Sequence, residues 1–207
     1  MPIADRQRPP PGQLFLDHIA HFVPELAAAG ALMEKLGFVV TPVSAHRTQH
    51  GPAGTSNRTV MLNSGYLEIL APTVDTPDAR RTKKAMRRYR GVHLVCFGTP
   101  TAEEEQLRLQ AHGFAPPPLV NLSRPATGGM KAKFNVVRGA PGKMPEGRIQ
   151  YVEHLAPKAI WRPAHLRHRN GVLGLAAAYV VAADPVRAAA RWARFTGGLP
   201  RPEGGLV

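Results

Sequence analysis

The sequence predicts an α+β fold: two βαβββ modules followed by a partial third βα unit. Three observations lead there. Hydrophobic spacing switches between strand-like and helical in the same order twice. Two strand ends are nearly identical, GYLEILAP at 65–72 and QYVEHLAP at 150–157. A last strand-plus-helix pattern then stands alone near the C-terminus. Internal repetition of this kind defines an architecture before any single element does.

The first module spans 14–72, after a flexible N-terminus at 1–13. LFLDHIAHFV (14–23) alternates like a half-buried strand. ELAAAGALMEKLG reads as a helix, with Pro24 suited to its first turn and Gly37 to its end. FVVTPVS is expected to be the second strand, with Pro42 at an edge or bulge. A polar loop, HRTQHGPAGTS, leads to strands near NRTVMLN and at GYLEIL.

The linker, 73–90, contains RRTKKAMRRYR, with seven basic residues and no acid. It reads as a solvated helix, with phosphate contact the alternative. The second module, 91–157, repeats the order. GVHLVCFG is its first strand. A helix at 101–113 has Thr101 and Glu104 placed as a capping box. An irregular strand in FAPPPLVNLS, then AKFNVVRG and RIQYVEHLAP, complete it. Residues 158–207 hold a basic connection and then GLAAAYVVAADPVRAAARWARFTGG. This reads as a strand, a turn at Asp184-Pro185, and a helix ended by Gly197-Gly198. The lone strand must find an edge in its own chain or in a second copy, so a homodimer is expected.

Composition narrows the function. Twenty-seven Lys and Arg against fourteen Asp and Glu give a formal charge of +13, which favours anionic partners. One cysteine, Cys96, excludes an intrachain disulfide and a multi-Cys zinc site. It is expected to be buried and inert. The start of the chain lacks an apolar signal core, and the longest apolar run is too short to span a bilayer. A soluble, cytoplasmic protein without membrane contact is expected.

The repeat also points to a site. Laying His18 on His93 and Glu68 on Glu153 brings Tyr66 onto Tyr151. Each module then offers one imidazole from its first strand and one carboxylate from its last. His18, Glu68, His93 and Glu153 suit a divalent first-row metal with open positions, and coordination would compensate buried carboxylates. The alternative is that the glutamates pair with arginines and His18 is a hydrogen-bonded core residue. Tyr66 and Tyr151 share the glutamate face and either line a cavity or fill it. Asp17 and His21 alternate away from His18, and His154 away from Glu153. Two polar stretches are further candidates: HGPAGTSN, with His50, Thr55 and Asn57, and HLRHRNG, with Arg167, His168, Arg169 and Asn170. Either could be an ordinary connection. Arginine suits bidentate recognition of carboxylate or phosphate.

LDHIAHFV, HGPAGTSN before an apolar strand, GYLEIL, and EHLAPKAIWRPAHLRHRNG followed by a new strand resemble the glyoxalase-like branch of the vicinal-oxygen-chelate superfamily. Together they cover most of 14–198. The resemblance implies that the modules curl into a half-open barrel around a divalent metal (Fe, Ni, Zn, Mn or Co). It places the metal on His18, Glu68, His93 and Glu153. The implied enzyme is a lyase, isomerase or dioxygenase that binds neighbouring oxygens of a small anionic substrate. Glu68, Glu153 or His50 would move protons, and Tyr66, Tyr151, Asn57, Arg167, His168 and Asn170 would bind substrate. A non-catalytic small-molecule binder of the same fold is the rival reading, with nucleic-acid binding a distant third.

Overall fold

The computed structural model describes residue 7, residues 9–10, 13–139 and 142–202. Most of the expected flexible lead-in lies outside these. Gln7, within it, is buried: its amide donates to the Asn63 carbonyl and accepts from the Gly65 N–H.

The two modules form as the repeat requires. The first runs β1 (Phe15–Phe22), α1 (Leu26–Lys35), β2 (Ser44–Thr48), β3 (Gly51–Met61) and β4 (Tyr66–Pro72). After α2 (Pro77–Met86), the second runs β5 (Val92–Gly98), α3 (Ala102–Ala111), β6 (Val120–Pro125), β7 (Lys131–Arg138) and β8 (Arg148–His154). Helix α4 (Pro185–Thr196) follows. The eight strands make one curved sheet closed into a barrel, in the order β1-β4-β3-β2-β6-β7-β8-β5. Within each module the first and last strands pair in parallel. Two antiparallel seams, β1 with β5 and β2 with β6, join the modules and close the ring. Closure leaves no free sheet edge and gives every strand an inner and an outer face.

The helices cover the outside. Leu26 of α1 packs with Val23, Ile69 and Ala71. Helices α3 and α4 lie over the second half, where Leu109, Phe114, Tyr151 and Phe195 form a second core. The termini of α4 follow the sequence. Asp184 caps it by accepting from the Arg187 N–H, and Gly197 ends it in the left-handed region at φ 74°.

Four expectations are corrected. The second strand begins at Ser44, not Phe38, because Pro42 has no N–H to give to a ladder. The polar loop at 46–56 is instead a hairpin, with Arg47 against Pro52 and Thr48 against Gly51. Thr101 makes no side-chain cap bond on α3; the Ala102 N–H there donates to Glu153 Oε2 at 3.4 Å. The tail at 172–183 forms no strand. Its only bridge among the described residues joins Gly174 to Ser64, and Tyr179 is 80% exposed.

Candidate active site in the barrel

The barrel encloses a cavity of about 70 Å³. Strand alternation decides what enters it. In the β1–β4 ladder His18 stands beside Tyr66, and both face inward together with Glu68. In the β5–β8 ladder Cys96 stands beside Gln150, and Gln150 and Val152 line the cavity. The inward set on β8 is therefore Gln150 and Val152, while Tyr151 and Glu153 point outward. The sequence echo is one residue out of phase with the fold, and a one-residue slip moves every side chain to the other face.

The predicted quartet is thus divided. His18 and Glu68 meet inside, with His18 Nε2 4.0 Å from Glu68 Oε2. His93 lies outside the cavity. Its Nδ1 accepts from the Phe22 N–H and its Nε2 donates to the Tyr89 carbonyl, so both ring nitrogens are occupied. Glu153 is held outside by Asn135 at 2.9 Å and by the start of α3. The third member of the inner group is His46 of β2, with Nε2 3.8 Å from Glu68 Oε1.

Each inner ligand candidate is oriented from behind. Asp17, fully buried, accepts from His18 Nδ1 at 2.6 Å and from His154 Nε2 at 2.8 Å. Tyr66 stacks on the His18 ring, with centroids 4.4 Å apart. His46 Nδ1 lies 3.1 Å from Thr55 Oγ1. Asn57 donates to Glu68 Oε1 at 2.7 Å. Carboxylate-backed imidazoles with the other nitrogen directed at a pocket are a common metal-site device.

The electrostatics suit ligation by Glu68 and His46, while His18, held protonated, would have to give up a proton to bind a metal. Burial opposes the charge on Glu68, but His18, His46 and the Asn57 amide outweigh it and hold the carboxyl below its ordinary range. Burial pushes His46 down to about 4, and Arg124 and Arg138 add to the fall, so its imidazole is neutral. Burial also disfavours charged His18, but Cys96 and Asp17 reverse this and raise its pKa well above the ordinary value. Burial lifts the Cys96 thiol, so at neutral pH the charge His18 meets is that of Asp17.

The second half of the barrel supplies cations. Arg124 of β6, Arg138 of β7 and Arg148 of β8 line the cavity. Arg138 pairs with Asp78 at 3.1 Å. Arg124 is only 5% exposed, and its guanidinium makes no hydrogen bond among the described residues. Burial lowers Arg148 to about 10, with Arg138 adding to the effect. Together the residues form a compact basic chamber with one carboxylate and two imidazoles on one wall.

Two groups of potential donors stand near the cavity. Donor atoms of Asp17, His18 and Cys96 lie within 4.8 Å of one another and are all buried. However, both Asp17 oxygens already accept from imidazoles, and the Cys96 thiol is held protonated. His18, His46 and Glu68 instead face the cavity. His18 and His46 lie 4.0 and 3.8 Å from different oxygens of Glu68, beyond the roughly 3–3.5 Å between neighbouring donors with metal bonds of about 2.1 Å, so the three side chains would have to draw together around an ion. This two-histidine, one-carboxylate set leaves room for other ligands.

The remaining candidates have other places. Asn57 and Tyr66 line the cavity. Tyr151 stacks on Phe195 and donates to the Thr196 carbonyl, outside. His50 is exposed beside the hairpin turn. His168 ties the C-terminal connection to the barrel: its Nδ1 accepts from the Val39 N–H, and its Nε2 donates to the Met61 carbonyl. Asn170 donates to the Leu36 carbonyl, and Arg167 is exposed outside the cavity. Sequence reasoning passed over His46, Asp17 and the three arginines. A signal for two of the arginines was present: Arg124 and Arg138 fall in phase with apolar residues two positions away, Leu122 and Val136.

Comparisons with known proteins agree with the fold. The profile of the glyoxalase-like domain family matches residues 16–196. No curated protein matches the chain. Among solved structures, a hypothetical protein from Staphylococcus aureus aligns with TM-score 0.53 at 17% identity, over 71% of this chain and 62% of that one. A Streptomyces coelicolor methylmalonyl-CoA epimerase variant in complex with 2-nitronate-propionyl-CoA aligns with TM-score 0.51 at 20% identity, over 70% of this chain and 97% of that one. A methylmalonyl-CoA epimerase in complex with methylmalonyl-CoA and NH4+ gives 0.50 at 19%, over 69% and 95%. The chain therefore belongs to the glyoxalase-like domain family.

Proposed function

We propose that the barrel cavity is the active site of a divalent-metal-dependent enzyme that acts on neighbouring oxygens of a small anionic substrate. The observation carrying this reading is the division of labour inside the barrel. His18, His46 and Glu68 converge from the first module, while Arg124 and Arg148 from the second face them without hydrogen-bond partners among the described residues. A metal held by those three side chains would supply Lewis acidity toward two adjacent substrate oxygens.

The chain's own residues do the rest. Arg124 and Arg148 bind the substrate's anionic group and fix its orientation. Arg138 is restrained by Asp78 and adds positive field. Asn57 holds Oε1 of Glu68; Oε2 would either bind the metal or, once released from it, accept a proton from a substrate carbon. Tyr66, whose hydroxyl burial keeps protonated, forms the wall against His18. Proton transfer of this kind places the reaction among isomerases or lyases.

Metal content per chain tests the reading. Protein purified without a metal-chelating tag and reloaded is expected to hold near one ion. Glu68→Gln and His46→Ala should lose it, while Glu153→Gln and His93→Gln should keep it. Retention in the first pair with loss in the second, or no uptake by the parent protein, would sink the proposal.

A further inference from the structure

A second, larger hollow adjoins the barrel cavity. It is a groove of about 990 Å³ between the β5–β8 end of the barrel and the tail that runs toward α4. Two residues, Leu94 and Arg148, line both spaces. The cavity and the groove therefore share a wall, with a guanidinium at the junction.

The groove's lining has two characters. Val92 is 43% exposed on one side and Val181 is 97% exposed on the other, with Ala178 and Tyr179 beside it. Apolar side chains left open on both faces of a groove are unusual for a surface with no occupant. Its cations are Arg88, Arg90, Arg148, Arg187 and Arg191, against Asp184 and Glu146. Arg191 is already paired with Glu146, and Arg88 donates to the Pro145 carbonyl. Arg90 and Arg187 have no side-chain partner among the described residues. The groove's lining thus combines apolar side chains with guanidinium groups unpaired among the described residues.

We propose that this groove binds the apolar chain of an anionic amphiphile whose compact, oxygen-bearing head enters the barrel at Arg148. The proposal rests on the active-site reading above and narrows its substrate class. The small cavity takes a head of a few heavy atoms, and the groove has room for an extended tail. The loss of strand structure at 175–183 fits this arrangement, since the segment forms a groove wall and not a sheet edge.

Straight-chain 2-oxo acids of three to twelve carbons test it, by calorimetry on the metal-loaded full chain. Each buried methylene is expected to tighten binding about threefold to fourfold until the groove is filled. Ala178→Trp, which intrudes on the groove from the tail side, should weaken binding of the longer acids, blunt the dependence on length and leave binding of the three-carbon acid unchanged. Affinity independent of length, with short acids still bound, would overturn the groove and spare the active-site reading. A length dependence that Ala178→Trp does not blunt would place the chain elsewhere and also overturn it. Failure of every acid to bind would overturn both. Sedimentation of the parent chain and Ala178→Trp runs alongside; a dimer lost only in the variant would assign the groove to a second copy and overturn the proposal.

Discussion

Replacing Asp17 by Asn should destabilise the protein in a way that depends on pH. Asp17 is fully buried, yet its pKa falls from the ordinary 3.8 to about 2. Burial alone would raise it; the His154 and His18 imidazoles on its two oxygens overcome that. A depressed carboxyl pKa adds stability that is fully present above the unfolded value, near 4, and is lost as pH falls through about 2. The difference is worth about 2 kcal/mol at neutral pH. Asn would also turn an N–H toward an imidazole that donates, which adds to the loss. Urea unfolding of parent and Asp17→Asn, in chelator, should show a gap of about 2 kcal/mol or more at pH 7. The gap should narrow steadily below pH 4. Equal stability at pH 7, or a gap constant down to pH 3, would refute a charge-based account of the Asp17 bridge.

Other outcomes follow from the same contacts. His46, held at about 4 by burial, should make the metal-free protein lose about 3 kcal/mol between pH 6.5 and 4, because the unfolded chain binds the proton first. His46→Gln should flatten that slope in thermal melts, and an unchanged slope would exclude His46 as its source. His168→Ala strands the Val39 N–H and the Met61 carbonyl, so about 1–3 kcal/mol of stability should be lost while metal content is unchanged. Phe195→Ala empties the core under α4, with an expected cost of about 3–5 kcal/mol by denaturant titration. A cost under 1 kcal/mol would mean that α4 is not integral to the fold.

The architecture was readable because a repeat constrains it twice over. Strand and helix order and the Asp184 and Gly197 ends of α4 follow from local chemistry. The site was readable only in its first half. His18, Glu68 and Tyr66 follow from alternation on β1 and β4, whereas Asn57 was singled out as a loop residue and lies on β3. The matching words YLE and YVE suggest that Glu153 does what Glu68 does, but β8 is set one residue out of phase. Phase depends on cross-strand pairing between Cys96 and Gln150, which no single strand encodes. His46 was hidden because Pro42 delays β2, so its strand resembled a loop. The tail at 175–183 has strand composition, yet no edge remains in a closed barrel to pair with it.

The seam arrangement has a consequence for how the molecule is made. As the chain leaves the ribosome, the first module can pair β1, β4, β3 and β2 before its complement exists. Until then β1 and β2 are open edges, and the ladders that cover them belong to β5 and β6. Closing the ring is therefore the long-range step, and the slower one for a topology of this kind. A neighbouring chain carries the same β5 and β6 ladders. Crowded refolding thus sets an intermolecular closure against the intramolecular one, and the outcome turns on protein concentration.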